Sequence, residues 1–145
     1  MHMRVLLLLL VVGTIITSGC ARKKELYKEG IQYIELASIK KDISMCDKIE
    51  NPDIKSWCHA EVKVNVSLCE KIQDRSYKDQ CYNGVGIVKK DISICEKIQD
   101  QFLEDNCYTE IAEAERDSTI CNKIQTQAFK DVCYGRVSRA KGSSS

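Results

Sequence analysis

An all-α fold, a short α-solenoid-like array of disulfide-stapled helical hairpins behind a signal peptide, is predicted by three features. Cysteines come in pairs always twelve residues apart: Cys46 and Cys58, Cys69 and Cys81, Cys95 and Cys107, Cys121 and Cys133. Seven residues before each second cysteine stand Asn51, Asp74, Asp100 and Thr126, all side chains that accept hydrogen bonds from the first N–H groups of a helix. Four residues before the same cysteines lie Ile54, Tyr77, Leu103 and Phe129, and four after lie Val62, Val85, Ile111 and Val137, so cysteine sits mid-stripe on one apolar helical face.

The chain opens on Arg4 and then Val5 to Ile16, twelve residues without a charge. A hydrocarbon core of about 30 Å calls for roughly 20 apolar residues, so this run suits an export signal better than a membrane span. Thr17, Ser18 and Gly19 then precede Cys20. This end of the chain resembles a bacterial-type lipoprotein signal. Ser18, Gly19 and Cys20 match the usual lipobox, whereas Thr17 departs from its leucine. The resemblance implies cleavage of residues 1–19, a lipidated N-terminal Cys20, and a membrane partner held through that lipid on the extracytoplasmic face.

Residues 20–41 are expected to form the anchor and an N-terminal capping helix, from roughly Lys24 to Lys40. Gln32 and Tyr33 stand there where Cys81 and Tyr82 stand later. Terminal repeats are commonly degenerate in this way. Residues 42–140 hold four two-helix repeats in one domain, and residues 141–145 a polar, disordered tail.

Each repeat opens at Asp42, Asn65, Asp91 or Asp117, followed two residues later by Ser44, Ser67, Ser93 or Thr119. Either member of the pair is a candidate N-cap. Ser67 with Glu70, and Ser93 with Glu96, also have capping-box spacing. After the first cysteine the sequence returns four times to Lys-Ile, which reads as the end of a helix of about two turns. A cation is favoured there by the helix dipole. A tight turn and a helix of about four turns follow.

Twelve residues along one helix would part the cysteines by about 18 Å, whereas a disulfide needs Cα atoms about 4.4–6.8 Å apart. The chain must therefore fold back between them, at the caps. Pairing across repeats would use unequal intervals and strand Cys46 and Cys133, whereas the interval within each unit never varies, so closure within each unit is expected.

The repeats resemble, in a general way, helical-hairpin repeat proteins of the Sel1-like and tetratricopeptide kind, and exported cysteine-repeat proteins. The resemblance covers residues 42 to 140 and implies a curved helical stack. The period here is 23, 26 and 26, short of the 34 to 36 of those families, and their glycine and alanine signatures are missing.

Several chemistries are disfavoured. The chain carries 22 basic and 21 acidic residues, interspersed, which argues against nucleic-acid binding. Zinc sites use closely spaced cysteines with histidine; here no two cysteines are nearer than eleven residues, so neither metal nor cofactor is expected. His59 is the one histidine after the leader, and it takes the place held by Tyr82, Tyr108 and Tyr134 in the other repeats. Packing is the simpler reading of it. Asp79, Asp105 and Asp131, two residues before their cysteines, read as structural surface or turn residues rather than general acids, and no catalytic set is expected. Tyr82, Tyr108 and Tyr134, extended by His59 and Tyr33, form either a binding strip or the packing between repeats, with packing preferred. The expected function is that of a non-enzymatic, lipid-anchored interaction or envelope-scaffold module with an unidentified protein partner. The alternative is a thiol-active protein that stores metal or exchanges disulfides.

Overall fold

A computed structural model describes the backbone of residues 2–142 and the side chains of residues 21–142. Helix α1 (His2–Lys40) leads into four units, each a short helix followed by a long one. The short helices are α2 (Ser44–Asp47), a 3-10 helix (Val66–Lys71), α5 (Ile92–Cys95) and a second 3-10 helix (Ile120–Lys123). The long ones are α3 (Pro52–Lys63), α4 (Arg75–Lys89), α6 (Gln101–Glu115) and α7 (Gln127–Gly142). The long helices stack in chain order, α1 on α3, α3 on α4, α4 on α6 and α6 on α7. Such a quasi-one-dimensional stack derives its stability from neighbour contacts. Among the described residues there is no strand.

The long helices start where the caps place them. Asn51 accepts from the N–H groups of Asp53 and Ile54, Asp74 from those of Ser76 and Tyr77, and Asp100 from that of Leu103. Pro52 fills the first helical position of α3, where its missing N–H costs nothing. Thr126 stands in the same place before α7, its carbonyl accepting from Lys130 N at 3.0 Å.

Each stop is also a start. Lys41, Val64, Lys90 and Arg116 adopt left-handed backbone with φ of 53°, 51°, 56° and 54°. The next residue donates its N–H back into the helix: Asp42 to Ala37 O, Asn65 to Ala60 O, Asp91 to Gly86 O and Asp117 to Ala112 O, at 2.9–3.1 Å. This is the Schellman bond. The side chains of the same four residues then accept the N–H of Ser44, Ser67, Ser93 and Thr119, opening the short helix. One residue thus closes one helix and opens the next. Asn65 and Asp91 are the N-caps of their short helices, whereas Asp42 and Asp117 stand just ahead of the N-caps Ile43 and Thr119; the hydroxyls of Ser44, Ser93 and Thr119 donate to the aspartates at 2.7 Å. These hydroxyl and backbone bonds hold the carboxyls of Asp42, Asp91 and Asp117 below the ordinary aspartate range.

None of the four left-handed residues is glycine, and a side chain there costs roughly 1–2 kcal/mol. Arg116 is exposed, and its backbone N–H bonds toward Ala112 O and Glu113 O do not depend on its side chain. Arg116→Gly is therefore expected to raise stability by about 0.5–1 kcal/mol after the added freedom of the unfolded chain is discounted. Thermal or denaturant unfolding under non-reducing conditions checks it.

The 3-10 helix Val66–Lys71 makes the two turns expected, whereas the other three short helices run for four residues, about one turn, before the chain extends at Lys-Ile. Ile72 and Ile124 lie at ψ 130° and 131°. That extension carries the chain to the next cap and drops Ile49, Ile72, Ile98 and Ile124 into the core. The capping boxes do not form; Glu70 and Glu96 reach instead to Lys97 and Lys123 of the following repeat. Four disulfides join Cys46 to Cys58, Cys69 to Cys81, Cys95 to Cys107 and Cys121 to Cys133, with Cα atoms 5.5–5.8 Å apart. All eight cysteines are fully buried. Lys141 and Gly142, placed by the sequence in the tail, belong to the last turn of α7; residues 143–145 and the side chain of Cys20 lie outside the described residues.

Candidate functional site: the faces between repeats

The stack is held by a carboxylate clamp that recurs at three successive junctions. Asp79 Oδ2 accepts the N–H groups of Gln99 and Asp100 (3.3 and 3.0 Å), and Asp105 accepts those of Gln125 and Thr126 (3.1 and 3.2 Å). Each aspartate reads the cap of the next repeat. Arg75 Nε and Gln101 Nε2, four residues earlier on the same helices, hold the two carboxylates in place. Both aspartates are buried, so the surface role read from the sequence is corrected: they bind backbone across a junction. A hydrogen bond to an ionised acceptor contributes about 1.5–3 kcal/mol, above that of a neutral pair.

At the first of these junctions the clamp is Asp53, which accepts from Gln73 N and Asp74 N at 3.1 and 2.8 Å. Asp53 stands five residues before its cysteine instead of two. The cause lies in helix length: α3 has 12 residues where α4 and α6 have 15. With one turn missing, the second repeat docks one turn lower, and the acceptor moves by one turn on the same face. Asp53 precedes Asp79 by the same interval that parts Asp79 from Asp105, a match that alignment on the cysteines hides. In α1 the matching place is Gly30, where a Cβ would lie 2.8 Å from Ile54 Cγ2, so close approach replaces the clamp.

The tyrosine line divides at the same junctions. Tyr82 lies beneath Lys97 of the next repeat (Nζ to ring centre 5.8 Å), Tyr108 beneath Lys123 (6.0 Å), and Tyr33 beneath Lys48 (6.0 Å). A cation over an aromatic face is favourable, the more so when shielded from water. Glu70 and Glu96 complete the contact by pairing with the same two lysines at 3.3 and 2.8 Å. Tyr82 and Tyr108 are 7% and 3% exposed, and burial with the nearby Glu104 carboxylate pushes the Tyr108 hydroxyl up to about 12. His59 is half-buried, with Nε2 3.3 Å from Asp47 of its own repeat. Tyr134 is 40% exposed, its hydroxyl bonded to Asn122 Oδ1 at 2.7 Å. The tyrosines are therefore brought together as packing at the internal junctions and left open on α7.

Glu61, which no repeat pattern marks, projects from α3 toward α4. Trp57 Nε1 donates to its Oε1 at 2.6 Å, and a Cβ on Gly84 would lie 2.0 Å from the same oxygen. Glycine makes room for the carboxylate. Burial raises its pKa above the ordinary 4.5, opposed by the Trp57 bond. The folded protein then binds this proton more readily than the unfolded chain, so its contribution to stability falls as pH rises from about 4.5 through the raised value. Glu61→Gln is expected to flatten that decline, measured as unfolding free energy from pH 4 to 7. Equal slopes for the two proteins would count against it.

Among the described residues no group of three or more His, Cys, Asp or Glu side chains is placed to hold a metal. No described helix is long and apolar enough to cross a membrane. Comparison with protein-family models, curated proteins and solved structures finds no match.

Proposed function

We propose that the chain is a lipid-anchored lipoprotein on the extracytoplasmic face of a membrane, acting as a helical-repeat interaction or envelope-scaffold module. The observation that carries this reading is the closure of all eight cysteines after Cys20 in local, fully buried disulfides. Such bridges persist in oxidising compartments outside the cytoplasm. The apolar leader and the Ser18-Gly19-Cys20 sequence supply the route there and the anchor. The stack offers extended faces, the usual working surface of repeat arrays. Thiol exchange or metal storage is disfavoured, since both need an accessible thiolate. Cys20→Ser expressed in the native host tests the anchor: it should move the protein from the membrane to the soluble extracytoplasmic fraction and abolish acyl labelling. Unchanged membrane retention with no acyl chain on the wild type would reject it.

A further inference from the structure

We infer that the outer face of α7 is a receptor for the N-terminus of a helix on a separate protein; this rests on the scaffold reading and names the partner's chemistry. The internal junctions define the lock. α4 and α6 each offer a clamp aspartate to two N–H groups of the next helix start, a tyrosine one turn on, and a small residue against which the incoming short helix packs; α3 offers Asp53 without the tyrosine. Gly86 is the small residue of α4, where a Cβ would sit 3.3 Å from Ile94 Cγ2 of the next repeat.

α7 keeps all three parts, and among the described residues nothing is seated on them. Asp131 stands two residues before Cys133, as Asp105 stands before Cys107, but it is exposed. Gln127 Nε2 donates to Asp131 Oδ1 at 2.8 Å, as Gln101 Nε2 does to Asp105 Oδ1 at 3.0 Å, so the acceptor is already held in the receiving position. Tyr134 is open where Tyr82 and Tyr108 are roofed. Ser138 takes the place of Gly86 and Ala112 and lines, with Tyr134, Val137 and Lys141, a groove of about 280 Å³ beside Ser118.

The lock also specifies the key. Two free backbone N–H groups at a helix start satisfy Asp131, and an apolar side chain two residues ahead of the cap, as Ile72, Ile98 and Ile124 are in this chain, suits the groove. The lysine of the internal junctions is not required, because Asn122 replaces Glu70 and Glu96. The partner segment is therefore an Ile-x-Asx helix start that needs no lysine.

Photo-crosslinking in the native host, with benzoylphenylalanine at Ser138 and, as a comparison, at the exposed Val88, tests this. The expected result is a crosslink from position 138 that maps by mass spectrometry to a helix N-terminus preceded by an apolar residue. Asp131→Ala should lower its yield at least tenfold. A crosslink from 138 to lipid, to another copy of this chain or to a loop or strand overturns the inference, as does a yield indifferent to Asp131→Ala. Crosslinks from 88 alone overturn it while leaving the scaffold reading intact. Silence at both positions sinks both.

Discussion

Reduction of the four disulfides is expected to unfold the array. Each bridge closes a loop between cysteines twelve residues apart, which in the chain-entropy model removes about 3 kcal/mol of unfolded-state freedom. Four such contributions rival the whole stability of an ordinary domain, about 5–15 kcal/mol. The remaining core is modest: beyond the cysteines it rests on single isoleucines, valines and small residues from each repeat, with two phenylalanines and one tryptophan in the chain. Far-UV circular dichroism with and without reductant should show loss of most helix on reduction. Opening one bridge with Cys95→Ala and Cys107→Ala should cost about 3 kcal/mol, with the earliest amide exchange in α5 and the start of α6.

Asp105→Ala is expected to cost about 3 kcal/mol or more. Asp131→Ala is expected to cost about 0.5 kcal/mol at most, the ordinary scale of a surface substitution, although both aspartates stand two residues before a cysteine. The first removes a fully buried carboxylate that accepts the N–H groups of Gln125 and Thr126 across a junction; the second removes an exposed carboxylate that accepts from Gln127. Hydrogen bonds to a charged acceptor contribute about 1.5–3 kcal/mol each, and deleting a buried side chain adds the loss of its packing. Loss at Asp105 should also be local, loosening α7 and its short helix while α3 and α4 keep their exchange protection. Denaturant unfolding with amide exchange measures both. Equal effects at the two positions would contradict the clamp.

The contrast also marks what the sequence disclosed. Disulfide pairing and the caps at Asn51, Asp74 and Asp100 were legible because each depends on spacing within one unit. Their chemistry repeats in register. What lay hidden crosses between units. Aspartate is usually exposed, so nothing local distinguishes buried Asp105 from open Asp131; the presence of a following repeat does. Asp53 was masked by the missing turn of α3, and the fit of Glu61 to Gly84 joins side chain and backbone from two successive repeats. The left-handed stops were illegible for a different reason: glycine, their usual signal, is absent from all four. The tyrosine line was legible as a line, and its division into covered and open members follows from position in the stack.

Peptide mapping without reduction, on protein taken from the membranes of its own host and alkylated before digestion, tests the stapled, exported array most directly. Four linked peptides are expected, joining Cys46 to Cys58, Cys69 to Cys81, Cys95 to Cys107 and Cys121 to Cys133, with no alkylated thiol and an acylated N-terminal Cys20. Free thiols at these eight positions, or links that cross from one repeat to the next, would contradict it.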